Sequence, residues 1–162
     1  MRYPVAVVLL LLWTMGCSKD DDPVRTNFAE IIVDGQKFSF DRFDIVVRKT
    51  DPGFRCYFVF DNTATNSNVD FTASSGKVVN TYRFNGENSP GPGLESMSVS
   101  TYVDRMQRLY VLKNGPMLLT IDKARDGRMH GTFSGKITLE SGPSYDQEVL
   151  LEGEFEAPYT TQ

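Results

Sequence analysis

Glu148-Val149-Leu150-Leu151-Glu152-Gly153-Glu154-Phe155-Glu156-Ala157 decides the fold class. Val149, Leu151 and Phe155 alternate with Glu148, Glu152, Glu154 and Glu156, so one face packs and the other meets water. Residues 131–139 repeat the pattern. Phe133, Ile137 and Leu139 share a face with Gly131 and Gly135, and Thr132, Ser134, Lys136 and Thr138 share the other. Strands of this one-sided kind belong to antiparallel sheets, because parallel sheets are covered on both faces. Gly135 and Gly153 fall on the inner faces, where a strand glycine marks a bulge or bend that lets a sheet curl.

The rest of the chain extends this grammar in both directions. Residues 28–33 form a first apolar run. Asp34-Gly35 then supplies the two positive-φ positions of a type I′ hairpin. Residues 37–47 return as one strand, with Phe38 and Phe40 facing away from Ser39 and Asp41. Thr50-Asp51-Pro52-Gly53 is a turn, residues 54–60 an aromatic strand, and residues 61–68 a polar loop. Further strands are expected at 69–73, 78–84, 97–103, 107–113 and 117–121. Between them lie Ser74-Ser75-Gly76, Asn85-Gly86, Ser89-Pro90-Gly91-Pro92-Gly93 and Asn114-Gly115-Pro116, and Asp126-Gly127 opens the final hairpins. About ten strands with no amphipathic helix predict an all-β chain, a single antiparallel β-sandwich. A calycin-like barrel is the alternative, since periodicity does not distinguish closure from stacking.

The N-terminus carries an address. Met1 and Arg2 precede an apolar run over 5–13, which is too short for the roughly 20 residues that span a bilayer. Gly16-Cys17 follows. This stretch resembles the lipobox of bacterial lipoproteins, which implies cleavage before Cys17 and acylation of its thiol and freed amine. Two or more acyl chains anchor stably where one does not. Lys19-Asp20-Asp21-Asp22 is similar to the export signal that Bacteroidota lipoproteins carry after the acylated cysteine. That resemblance implies the outer membrane and the cell surface, with the periplasmic face as the alternative. Like charges also extend the tether. The body resembles the small uncharacterised β-domains of such lipoproteins in Val33-Asp34-Gly35 with Phe38, in His130-Gly131-Thr132-Phe133-Ser134-Gly135 and in Gly153-Glu154-Phe155. The expected layout is a signal peptide over 1–16, an acylated Cys17 and acidic tether over 17–26, and one all-β domain over 27–162.

Composition narrows the chemistry. The chain has 162 residues and a formal charge of −4, with no basic block, so nucleic acid is a poor partner. With Cys17 acylated, Cys56 stands alone and is expected as a buried small hydrophobe. The single histidine, His130, is read as a surface or edge residue at the start of a strand. No nucleophile-elbow motif and no phosphate-binding glycine loop is present. Glu152, Glu154 and Glu156 read as the solvated side of an outer strand. Asp104, Asp122 and Asp126 lack the ordered spacing of a calcium loop. Tyr82, Tyr102 and Tyr110 read first as cross-strand packing and second as a sugar-stacking surface. The expectation is a non-catalytic β-domain without metal or cofactor, held to the membrane by lipid. It would meet a glycan or protein partner through loops 61–68 and 85–93. A lipocalin-like carrier of an apolar ligand is the alternative.

Overall fold

The computed structural model describes residues 27–84, 93–113, 115–141 and 145–162. The signal peptide, Cys17, the tether residues Lys19, Asp20, Asp21 and Asp22, and loop residues 85–92 lie outside the described residues. The described residues contain strands and no helix. The strands are β1 (Phe28–Val33), β2 (Gln36–Phe40), β3 (Arg42–Thr50), β4 (Gly53–Asn62), β5 (Ser67–Ser75), β6 (Asn80–Phe84), β7 (Gly93–Val103), β8 (Met106–Val111), β9 (Met117–Arg125), β10 (Arg128–Ser141), β11 (Glu148–Pro158) and β12 (Thr160–Thr161).

Turn chemistry sets the hairpins. Asp34-Gly35, Asp104-Arg105 and Asp126-Gly127 each place two consecutive residues at positive φ, so strands of matching twist close through two residues. Residues 61–68 behave differently from the expected long loop. Asp61 and Asn62 continue β4, Ser67 and Asn68 begin β5, and only 63–66 turn. Asn62 makes this possible: its Oδ1 accepts from the amides of Ala64 and Thr65, which substitutes for a longer loop.

The strands join in the order β12-β3-β4-β5-β7-β8-β10-β11-β1-β2, with β9 also on β10 and β6 on β9. All pairs are antiparallel except β12 on β3, so the sheet is mixed, and it curls into a half-barrel. β10 is long enough to fork. Its first half pairs with β9 and its C-terminal end with β8. The run over 37–47 is two strands rather than one. Asp41 breaks it, and β2 and β3 stand near opposite ends of the sheet order although one residue joins them. The Asp41 amide donates to the Asp61 carbonyl at 3.1 Å and Asn62 Nδ2 donates to the Ser39 carbonyl at 2.7 Å, which brings the two ends of the sheet together.

The concave face is aromatic. Phe58 stacks on Phe71 at 4.2 Å between ring centroids, and Phe155 meets Phe58 at 5.6 Å and Phe60 at 5.2 Å. Phe71 also meets Phe133 at 5.7 Å. These contacts run from the β4–β5 wall to the β10–β11 wall. Cys56 is fully buried in the same face. Burial pushes its thiol up to about 11, the Tyr82 hydroxyl acting weakly in the opposite sense, so it stays protonated and unreactive.

Gly131 and Gly153 each seat a ring, and neither Gly135 nor Gly153 marks a bulge. Gly131 stands opposite Phe155 and Gly153 opposite Phe133 in unbroken β10–β11 register. A Cβ on Gly131 would lie 2.7 Å from Phe155 Cζ, and one on Gly153 would run into Phe133 Cζ. Each phenyl ring therefore covers the facing glycine. Gly135 also pairs without interruption, opposite Leu151 and Met117, with the Pro116 carbonyl close over it. The bulges lie at His130/Gly131 against β9, at Leu139/Ser141 against β8, and at Thr72/Ala73 of β5 against β7.

Two alanine substitutions separate ring seating from turn strain. Gly153→Ala is expected to lower unfolding free energy by about 1–3 kcal/mol, because the added methyl displaces a core ring. Gly35→Ala meets no atom within 4 Å, and its φ of 77° should make it the milder change, about 1 kcal/mol. Urea denaturation of both variants checks the order.

Candidate functional site

The polar face of β9, β10 and β11 is organised by the β9 bulge. His130 stands opposite Lys123 and Gly131 opposite Ile121, so Asp122 has no partner in the ladder. Before the bulge, β9 buries Met117, Leu119 and Ile121. After it, two charged side chains come to the outer face in succession. Asp122 Oδ1 lies 2.6 Å from His130 Nδ1, and Lys123 Nζ lies 3.7 Å from Glu156 Oε1. A bulge re-aims side chains in this way because it adds one residue against a partner strand of fixed pleat.

His130 bridges three strands. Its Nε2 lies 3.0 Å from Glu154 Oε1 on β11 while Nδ1 meets Asp122 on β9. Only the imidazolium can donate from both nitrogens, and both of its partners are carboxylates. Burial opposes the charge, but the hydrogen bonds and attraction of Asp122 and Glu154 outweigh it, so the pKa is raised above its ordinary value. The ring is thus a clamp with both nitrogens occupied, and it sits on a central strand rather than at an edge. Beside it, Arg128 Nε donates to Glu156 Oε1 at 3.1 Å and Arg128 Nη1 to Asn27 Oδ1 at 2.8 Å. The Arg128 hydrogen bond, with Lys123 nearby, holds the Glu156 carboxyl below its usual range.

The Glu152, Glu154 and Glu156 row therefore divides. Glu156 belongs to the ion-pair group with Arg128 and Lys123. Glu152 and Glu154 line an open groove of about 310 Å³ together with Glu30, Ile32, Lys37, Thr132 and Gly153. Ladder register explains its composition: Glu30 lies opposite Glu154, and Ile32 opposite both Glu152 and Lys37. Lys37 Nζ reaches Glu30 Oε2 at 2.7 Å. Ile32 and Leu150 are exposed on this side, at 40% and 56%. The surface thus mixes carboxylates with apolar side chains, which suits polar contacts around a modest apolar patch.

Other candidate residues do not converge. Tyr82 and Tyr110 are core residues, and Tyr102 alone of the three is exposed. Asp104 and Asp126 sit in different hairpin turns, while Asp122 is held by His130. Among the described residues no group of three or more histidines, cysteines or carboxylates is arranged to hold a metal ion. The Asp122–His130 pair was missed in the sequence reading. Its available signal is the break in alternation at Asp122-Lys123-Ala124, where two charged residues follow the regular Met117, Leu119, Ile121 series.

His130 being the chain's one histidine, its titration can be followed as a single imidazole signal by proton NMR. Asp122→Asn is expected to lower its pKa. The folded pKa is raised, so the clamp contributes stability fully below about pH 6.5, the unfolded value, and loses it as pH climbs through the folded pKa. The Tm difference between wild type and His130→Gln should accordingly be largest in mild acid and shrink toward alkaline pH. No family model and no curated protein matches this chain.

Proposed function

We propose that the chain is a lipid-anchored bacterial lipoprotein of the outer membrane, attached through acylated Cys17 and extended by Lys19, Asp20, Asp21 and Asp22 to the cell surface. The body is then a non-catalytic β-domain that binds a glycan or protein partner or takes part in envelope assembly. The observation that supports display over carriage is the occupied concave face. Phe58, Phe60, Phe71, Phe133 and Phe155 pack ring to ring across the half-barrel, where a lipocalin-like carrier needs empty apolar space. Contact with a partner is left to the rim and the outer face. In the finer architecture we read the two walls joined by these rings as the layers of a sandwich.

The anchor is tested by metabolic labelling with a clickable palmitate analogue. Wild type should label and Cys17→Ala should not, and persistent labelling of the variant would remove the anchoring reading. Protease shaving of intact cells should degrade the domain if it faces outward. Full protection would place it on the periplasmic side.

A further inference from the structure

One end of the concave face departs from the apolar pattern. Val69, Val99 and Tyr110 occupy neighbouring positions on β5, β7 and β8, and all three are core residues. Two residues further toward the rim, the same face carries Ser67, Thr101 and Arg108. Alternation fixes this placement. Thr101 stands directly opposite Arg108, and Ser67 and Thr101 come one step beyond the Asn68–Ser100 pair. Ser67 is 2% exposed and Thr101 0%. Thr101 Oγ1 and Arg108 Nε are both buried, and neither has a hydrogen-bond partner. Among the described residues no carboxylate is ion-paired with Arg108.

Two orphaned polar atoms on facing residues are unusual. A buried donor or acceptor without a partner is destabilising, more so when it is charged. Native structures leave few such groups, and each calls for a missing partner. Here the pair combines a guanidinium, which presents a planar fork of donors, with a hydroxyl that donates or accepts. A carboxylate or phosphate oxygen satisfies both, whereas a cation is repelled by the guanidinium and an apolar group satisfies neither.

We propose that the Thr101–Arg108 pair at the rim of the half-barrel is a binding site for an oxyanion, the carboxylate or phosphate group of the domain's ligand. The Arg108 guanidinium supplies the charge and the fork, Thr101 Oγ1 supplies a fixed second contact, and Ser67 borders the same row. The proposal rests on reading the domain as a binding module, and names the chemistry that module recognises. It does not involve the anchor: labelling at Cys17 and anion binding at Arg108 can each fail alone.

The test uses the full chain purified in detergent, titrated with sodium phosphate and with sodium acetate at constant ionic strength against sodium chloride. Thermal unfolding and calorimetry give the readouts. At least one of the two anions should raise Tm and give a saturable heat that chloride does not. Arg108→Met should weaken that binding by about tenfold or more, and Thr101→Val by a smaller factor. Arg108→Lys keeps the charge but loses the fork, and should bind more weakly than wild type. In anion-free buffer Arg108→Met and Thr101→Val should unfold at or above the wild-type Tm, because each removes an unsatisfied buried atom. That result also shows that the variants fold. Equal anion responses in wild type and Arg108→Met would overturn the proposal. So would a wild type that responds to neither anion, or a crystal structure grown in phosphate with only water between Thr101 and Arg108.

Discussion

Phe58 stacked on Phe71, with Phe155 set edge-on to Phe58 and tilted against Phe71, is the contact that holds the sheet in its curl. Three strands separate β5 from β11 in the sheet order and four separate β4 from it, so these rings meet only if the sheet turns back over itself. Aromatic pairs of this geometry contribute about 0.5–1.5 kcal/mol each beyond the area they bury. The curl also sets limits on the neighbours. Phe133 and Phe155 can lie over β10 and β11 only because the facing residues are Gly153 and Gly131. A methyl group at either glycine would push a ring off its seat.

The same curl brings the sheet's ends together at Asp41, where the Asp61 carbonyl and the Asn62 side chain secure the corner. It also produces two different surfaces. The outer face of β1, β2, β9, β10 and β11 carries a dense array of opposite charges, tied across three strands by His130. The concave face is apolar to its rim, and there Thr101 and Arg108 present polar atoms without partners. The ion pairs with both partners well exposed, such as Lys136 with Glu148, contribute little to stability, whereas the half-buried His130 clamp contributes in its charged form. The unpaired rim atoms have the opposite character: they weaken the isolated domain, and a ligand of matching charge is what would compensate them.

Much of the strand pattern was legible. β1 was expected at its observed bounds, and Asp34-Gly35 and Asp126-Gly127 turn as their positive-φ chemistry requires. The alternation in β10 and β11 correctly separated the faces holding Phe133 and Phe155 from those holding Thr132 and the glutamates. Legibility failed where a local rule met a distant partner. The corner at Asp41 had a signal that went unused: the apolar series changes phase from Phe38 and Phe40 to Phe43, Ile45 and Val47 across the polar pair Asp41-Arg42, while the identity of the new neighbouring strand is not written in either half. The polar run 61–68 read as a loop, since polar composition does not reveal that the Asn62 side chain closes a four-residue turn. Gly131 and Gly153 were placed on the correct face, but the phenyl rings above them come from the adjacent strand. Asp122 could not be linked to His130 because a bulge shifts the register between them.

Local pattern along the chain is enough to specify an all-β protein, its inner and outer faces, its hairpin turns and the N-terminal stretch that resembles a lipoprotein's. These are properties of neighbours along the chain, written in period-two alternation, backbone φ preference and a short apolar run before Cys17. The strand order, the closing of the corner at Asp41, the seating of phenylalanine on glycine, the His130 clamp and the opposition of Thr101 to Arg108 emerge with the folded sheet. Each of these joins residues through strand pairing or packing between segments far apart in the chain. Such pairings follow from how the whole sheet curls to bury its rings, and no single segment carries that information.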